Sequence, residues 1–197
     1  MWLNQGRFAD AVWASTRAAE RIEPRFSTVR PEQLSVWGSL LLTGLAAAAA
    51  GGRVDDAREL LSMAGAASAR LGADRDDYQT AFGPAQVAMQ AVHASVVLGR
   101  PGEALAGAAR VRREVLPTAA HGRHLLDVAQ AEVDVRRDAH ALETLLMAER
   151  LSPEWMRHQV PARELVRTLA ERRRRIPDGL RGLAARLAVN EDGMSQG

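Results

Sequence analysis

The sequence predicts an all-α protein built as an array of antiparallel helix hairpins, and three observations carry that reading. The first is composition. The 197 residues are 47% hydrophobic but only 4% aromatic, with Ala and Leu prominent. Ala and Leu lose little entropy in a helix, and no stretch sustains the apolar–polar alternation of a strand. The second is a recurring turn: "GRFADA" (Gly6–Ala11), "GRVDDA" (Gly52–Ala57), "GRPGEA" (Gly99–Ala104) and "RRDAHA" (Arg136–Ala141). Each starts on a helix-terminating position, usually Gly before Arg, and reaches a small Ala five residues later. Gly suits the left-handed position after a helix end, and Ala lets two helices approach closely. The third is punctuation, since Pro153, Pro161 and Pro177 each stand at a break in the helical pattern.

The elements follow in order. Met1–Gln5 reads as the last turn of a helix, so the first hairpin is expected to be incomplete. Its second helix runs from about Phe8 to Ile22. Pro31, tolerated at a first helical position, opens a long helix to about Ala50. Asp55–Leu71 follows, with carboxylates in its first turn where the dipole favours them. Pro84–Leu98 and Gly102–Val115 form a third hairpin, and Thr118–Val135 and Ala139–Leu151 a fourth. Pro153 opens a short helix. Pro161–Arg174 and Asp178–Leu187 make a terminal hairpin, and 191–197 reads as a frayed tail. Residues 1–190 are thus expected to form a single helical-repeat domain.

The fourth copy of the turn fixes the kind of array. With Ala141 as the small residue of a second helix, Leu125 and Ala129 fall where a tetratricopeptide repeat wants a large and a small residue. Ala148 takes the second small site, and Pro153 closes the unit. The copies are not spaced at a strict ~34 residues, so some intervals carry longer helices or insertions, 74–84 among them. The fold expected is a tetratricopeptide-like array winding into a right-handed superhelix.

The bulk numbers exclude several classes. All 26 basic charges are Arg, no Cys occurs, and the net charge is only +2. Without Cys there are no disulfides, thiolate metal sites or Cys nucleophiles, a composition compatible with a cytoplasmic setting. A charge this small does not make a strong positive field. The apolar run Leu40–Ala50 is too short to span a bilayer. "MWLNQGRF" has neither the charged nor the apolar region of a secretory signal.

In stacked hairpins the first helices line the concave side, the usual binding surface. Repeat position turns Gln86, Met89, Gln90 and His93 inward, with Ser39, Leu42 and Thr43 one unit earlier. Arg123, Leu126, Asp127, Gln130 and Asp134 do so one unit later. The ligand-facing set expected is Gln86, Gln90, His93, Arg123, Asp127 and Gln130. Tyr78 and Phe82 sit on the 74–84 insertion beside that wall, where the simpler role is to pack the loop on the preceding hairpin.

Four stretches carry a family resemblance: "GSLLLTGLAAAAAGGRVDDARELL" (38–61), "RLGADRDDYQTAFGPAQVAM" (70–89), "LPTAAHGRHLLDVAQA" (116–131) and "LLMAERLSPEWMRHQVPARELVRTL" (145–169). With them the chain resembles the C-terminal tetratricopeptide-like region of actinobacterial XRE-type helix-turn-helix transcriptional regulators. The resemblance spans about residues 1 to 190, and "TAFGP" and its spacing to "HLLDVAQA" are its most specific parts. It implies a regulatory role: dimerisation, or binding of a small effector, peptide or protein that controls a DNA-binding half. The helix-turn-helix itself is absent from these residues, and Gln86 and Gln90 stand where the family commonly has Asn and His.

Other features have plainer readings. His121, His124 and Asp127 recur every third residue, so they share a helix face; a metal site needs a fourth ligand, and the alternative is a polar first turn with an Asp–His or Asp–Arg pair. "ERRRRI" (Glu171–Ile176) can touch phosphates, but it ends a helix, where cations suit the dipole, and no aromatics accompany it for base stacking, so a solvated face is the reading expected. Direct nucleic-acid contact is therefore not expected. Trp13 and Trp37 are expected to fill gaps between the first hairpins, and Trp2 to sit at the array's edge.

The function expected is regulatory: a sensor or oligomerisation domain of a transcriptional regulator, with no cofactor or metal and no membrane association. The alternative is a stand-alone scaffold that docks a protein or peptide. No nucleophile motif or phosphate loop appears, so an enzyme is not expected.

Overall fold

The computed structural model describes residues 7–25 and 28–189. Among them are ten α-helices: α1 (Phe8–Arg21), α2 (Pro31–Ala50), α3 (Val54–Leu71), α4 (Pro84–Val97), α5 (Pro101–Ala108), α6 (Thr118–Asp134), α7 (Asp138–Leu151), α8 (Pro153–Arg157), α9 (Val160–Glu171) and α10 (Asp178–Arg186). No strand occurs among the described residues; an isolated antiparallel bridge joins Arg75 and Phe82. The chain is all-α. The expected last turn at Met1–Gln5, Trp2 at the edge and the tail at 191–197 lie outside the described residues.

The helix ends explain the recurring turn. After α2, α4 and α6 the chain passes through one left-handed residue: Gly52 (φ +68°), Gly99 (φ +69°) and Arg136 (φ +62°). In each case the next backbone N–H reaches back five residues to a helix carbonyl. Arg53 donates to Ala48, Arg100 to Ser95 and Arg137 to Glu132, all at 2.8 Å. This pattern satisfies carbonyls that the helix leaves open. The Arg then precedes the next helix and pairs with the acid three residues on, as Arg53 does with Asp56 and Arg100 with Glu103. Arg7 does the same with Asp10 ahead of α1. The small residues behind these turns are buried: Ala57, Ala104 and Ala141 are at most 2% exposed.

Consecutive helices pack as pairs, α2 on α3, α4 on α5, α6 on α7 and α9 on α10. A second set of contacts joins α2 to α4, α4 to α6 and α6 to α9. One apolar cluster holds α1 to α4 together and another holds α6 to α10. A small one at Val92, Ala104, Val111 and Ala131 bridges them. Large members of the first two clusters, such as Leu41, Leu45, Leu145 and Leu169, are each at most 1% exposed, worth about 2 kcal/mol apiece. Ala fills many remaining positions, which brings helix axes close and leaves little volume for large side chains.

Four details depart from the sequence reading. Helix α2 is 20 residues long and apolar enough to cross a membrane by length and composition, longer than the run counted above. Its apolarity has a structural cause, because α1, α3 and α4 all pack on it. Helix α5 ends at Ala108, and a short 3₁₀ turn at Arg113–Val115 replaces its expected second half. Gly102 and Gly107 weaken so short a helix, and Val111 instead turns inward at 7% exposure. Trp37 is buried, but Trp13 is 67% exposed. The buried stripe of α1 runs through Ala11, Ser15 and Ala19, spaced by four, and Trp13 falls on the opposite side. Finally, the Arg run is not uniformly solvated. Arg172 donates to the Val133 carbonyl (2.9 Å) and to Asp138 (3.1 Å), tying α9 to the α6–α7 turn.

Candidate functional site

The α4–α6 face carries most of the expected residues. Gln86, Gln90 and His93 recur at i, i+4 and i+7, and Arg123, Asp127 and Gln130 do the same on α6. Residues so spaced share a helix face. The two stripes meet at one bond, His93 Nδ1 to Asp127 Oδ1 at 2.9 Å. His93 keeps 40% of its side chain exposed and Asp127 only 13%. Gln86 and Gln90 are half-buried and Arg123 is exposed. Gln130 donates along its own helix to Asp134 at 2.8 Å.

The bond sets the chemistry of His93. With Nδ1 committed to Asp127, the ring presents Nε2. The hydrogen bond to Asp127 holds the imidazole above its ordinary pKa, against the opposing effects of burial and of the Arg123 charge. The bond to Asp127 thus favours the protonated form of the ring. When protonated it offers an Nε2–H donor; when neutral it offers an acceptor.

One turn earlier, α6 buries a histidine outright. His124 is 1% exposed, and burial pushes its pKa down to about 4. Arg113 and His121 push the same way, and Asp127 opposes them. His124 is therefore neutral at pH 7. Among the described residues its Nδ1 has no hydrogen-bond partner, nor do His121 Nε2 and Asp127 Oδ2. Orphaned polar atoms of this kind are uncommon in folded interiors. His121, His124 and Asp127 do not converge as a metal site, and no group of three or more such ligands does so among the described residues. The Asp–His pair that forms instead uses His93 across the helix interface, not the His of its own turn.

The 74–83 insertion is built from its acids. Asp74 Oδ1 accepts from the Ala85 and Gln86 N–H groups at 2.9 and 3.3 Å, capping α4 from eleven residues upstream. Asp77 accepts from buried Ser35 at 2.7 Å and from Arg75 at 2.7 Å. The Arg75–Phe82 bridge closes the loop with two 2.9 Å backbone bonds. Phe82 ends fully buried against Gly38 of α2, packing the loop on the preceding hairpin. Tyr78 does the reverse: it is 79% exposed and its backbone is left-handed at φ +52°. Sequence reasoning did not find the Asp74 cap or the Ser35–Asp77 bond, because both span distances that no local pattern encodes.

No protein-family model, curated protein or solved structure matches this chain.

Proposed function

We propose that the chain is a regulatory interaction domain: a tetratricopeptide-like superhelix whose concave wall is formed by α2, α4, α6 and α9. In this reading it is the sensor and oligomerisation part of a transcriptional regulator of the XRE type, and it acts in the cytoplasm. A peptide, protein tail or small effector lies along the wall, and its occupancy repositions an attached DNA-binding half.

The observation that carries the reading is the His93–Asp127 bond. It brings the polar stripes of α4 and α6 side by side, with Gln86 and Gln90 half-buried next to them. Amides, an imidazole and a guanidinium on one face suit a polar backbone or carboxylate-bearing ligand. A structural face of the same helices would bury apolar residues there instead.

The test is a thermal-shift screen of short peptides and metabolites, followed by calorimetry on the hits. Asp127→Ala and Arg123→Ala should each weaken a genuine ligand by about tenfold, the scale of one charge-assisted contact. Hits whose affinity is unchanged in both variants would place the ligand elsewhere and overturn the groove reading.

A further inference from the structure

A second concave surface lies at the other end of the helix order. Helices α1 and α3 both lean on α2 and leave a cleft of about 840 Å³ between them, floored by Trp37 and Leu41. The buried residues of α1, Ala11, Val12, Ser15 and Ala19, are small or medium-sized and seat it on α2, while Trp13 lines the cleft. Five carboxylates and two guanidiniums line the cleft, an excess of three negative charges on a chain whose net charge is +2. Three of the carboxylates pair with an Arg three residues away, contacts worth little at a surface. Glu23 and Glu59 form no ion pair among the described residues.

The cleft thus offers an exposed indole and, elsewhere on its lining, two unpaired carboxylates over an apolar floor, a combination that suits one kind of group. It must be cationic, flat and weakly hydrated, which describes arginine: its guanidinium stacks on an indole face while its N–H groups meet carboxylates. The chain carries such groups in excess at one corner. Arg173, Arg174 and Arg175 lie between α9 and α10, and none of their side chains hydrogen-bonds or pairs with an acid among the described residues. The neighbouring Arg172 is consumed by Asp138, and Asp178 by Arg181. The corner belongs to helices packed on α6 and α7, whereas the cleft belongs to α1, α2 and α3.

We propose that the cleft is a docking site for the Arg173–Arg175 corner of a second copy of this chain, giving head-to-tail association. Cleft and corner are different surfaces, so the contact is heterologous, and it closes into a ring or grows as an open chain. The α4–α6 face takes no part, so this proposal stands or falls separately from the groove.

The experiment is sedimentation velocity across a wide concentration range at low and high salt. Mass should rise with concentration, and added salt should reverse the rise, because the contact is electrostatic. Glu23→Arg with Glu59→Arg should weaken association by about tenfold or more, and Arg173→Glu with Arg174→Glu should do the same. Circular dichroism checks that both variants are folded. Mixing the two variants is the discriminating step. One keeps an intact corner and the other an intact cleft, so the mixture should associate at concentrations where neither variant does alone. A monomer at every concentration overturns the proposal, and so does association that both charge reversals leave untouched.

Discussion

The ring of Phe82 occupies the space that a side chain at Gly38 would need. A Cβ added to Gly38 would stand 2.1 Å from Phe82 Cζ and 2.3 and 2.4 Å from the two Cε atoms. Phe82 is fully buried, so the ring has nowhere to retreat, and the contact seats the whole 74–83 loop on α2. Gly38→Ala should therefore destabilise the fold by about 3 kcal/mol, at the upper end of ordinary overpacking. Gly65, in α3, has nothing within 4 Å of its would-be Cβ. Gly65→Ala should stabilise by about 0.5–1 kcal/mol through helix propensity alone. Urea denaturation of the two variants checks both signs, and equal effects would remove the Phe82 contact as the cause.

Arg136 holds a conformation that Gly holds at the two equivalent turns. Its φ of +62° matches Gly52 at +68° and Gly99 at +69°. A left-handed backbone costs a residue with a Cβ about 1 kcal/mol, and the Arg136 side chain makes no hydrogen bond or ion pair among the described residues to offset it. Arg136→Gly should raise stability by roughly 0.5–1 kcal/mol. A neutral or destabilising result in a denaturant titration would mean the turn geometry is set by something other than the backbone.

That same turn shows what was legible in the sequence. The recurring turn, Gly–Arg twice and Arg–Arg once, located three helix ends because a left-handed cap is a local event, settled by adjacent residues. Proline marked the starts of α2 and α4 for the same reason. Trp13 and the end of α5 were misplaced because burial depends on which side of a helix its neighbours occupy. The site was legible to the same degree: helical spacing put His93 and Asp127 on facing stripes, but their bond spans 34 residues. Only the register of α4 against α6 selects His93 over His124 as the partner.

Asp74 tests whether a cap works from a distance. Its Oδ1 serves the Ala85 and Gln86 N–H groups, and its Oδ2 lies 3.4 Å from Arg112. The approach needs glycine at position 83, where a Cβ would come within 2.4 Å of the Asp74 Cα. Asp74→Ala should cost about 1 kcal/mol, as for an ordinary N-cap, and should speed hydrogen exchange in the first turn of α4. Asp74→Asn keeps the accepting oxygen and should recover most of the loss. If Asn and Ala behave alike, the Arg112 charge pair and not the cap carries the effect.

His93 of α4 and His124 of α6 should shape the pH dependence in opposite directions. His124, facing Asp127, Arg113 and His121, has a folded pKa of about 4 against an ordinary 6.5. The unfolded chain binds its proton first, so stability is full above about 6.5 and falls as the pH drops towards about 4. His93, facing Asp127 and Arg123, has a raised folded pKa. Its contribution is full below 6.5 and is lost as pH rises through the raised value. His124→Leu should flatten the acid side of the stability curve between pH 4 and 6.5 and leave the alkaline side alone. His93→Gln should remove the loss above 6.5 and leave the acid side. Denaturation midpoints measured across that range decide the matter: a slope on the acid side that survives His124→Leu would assign the acid sensitivity to other groups.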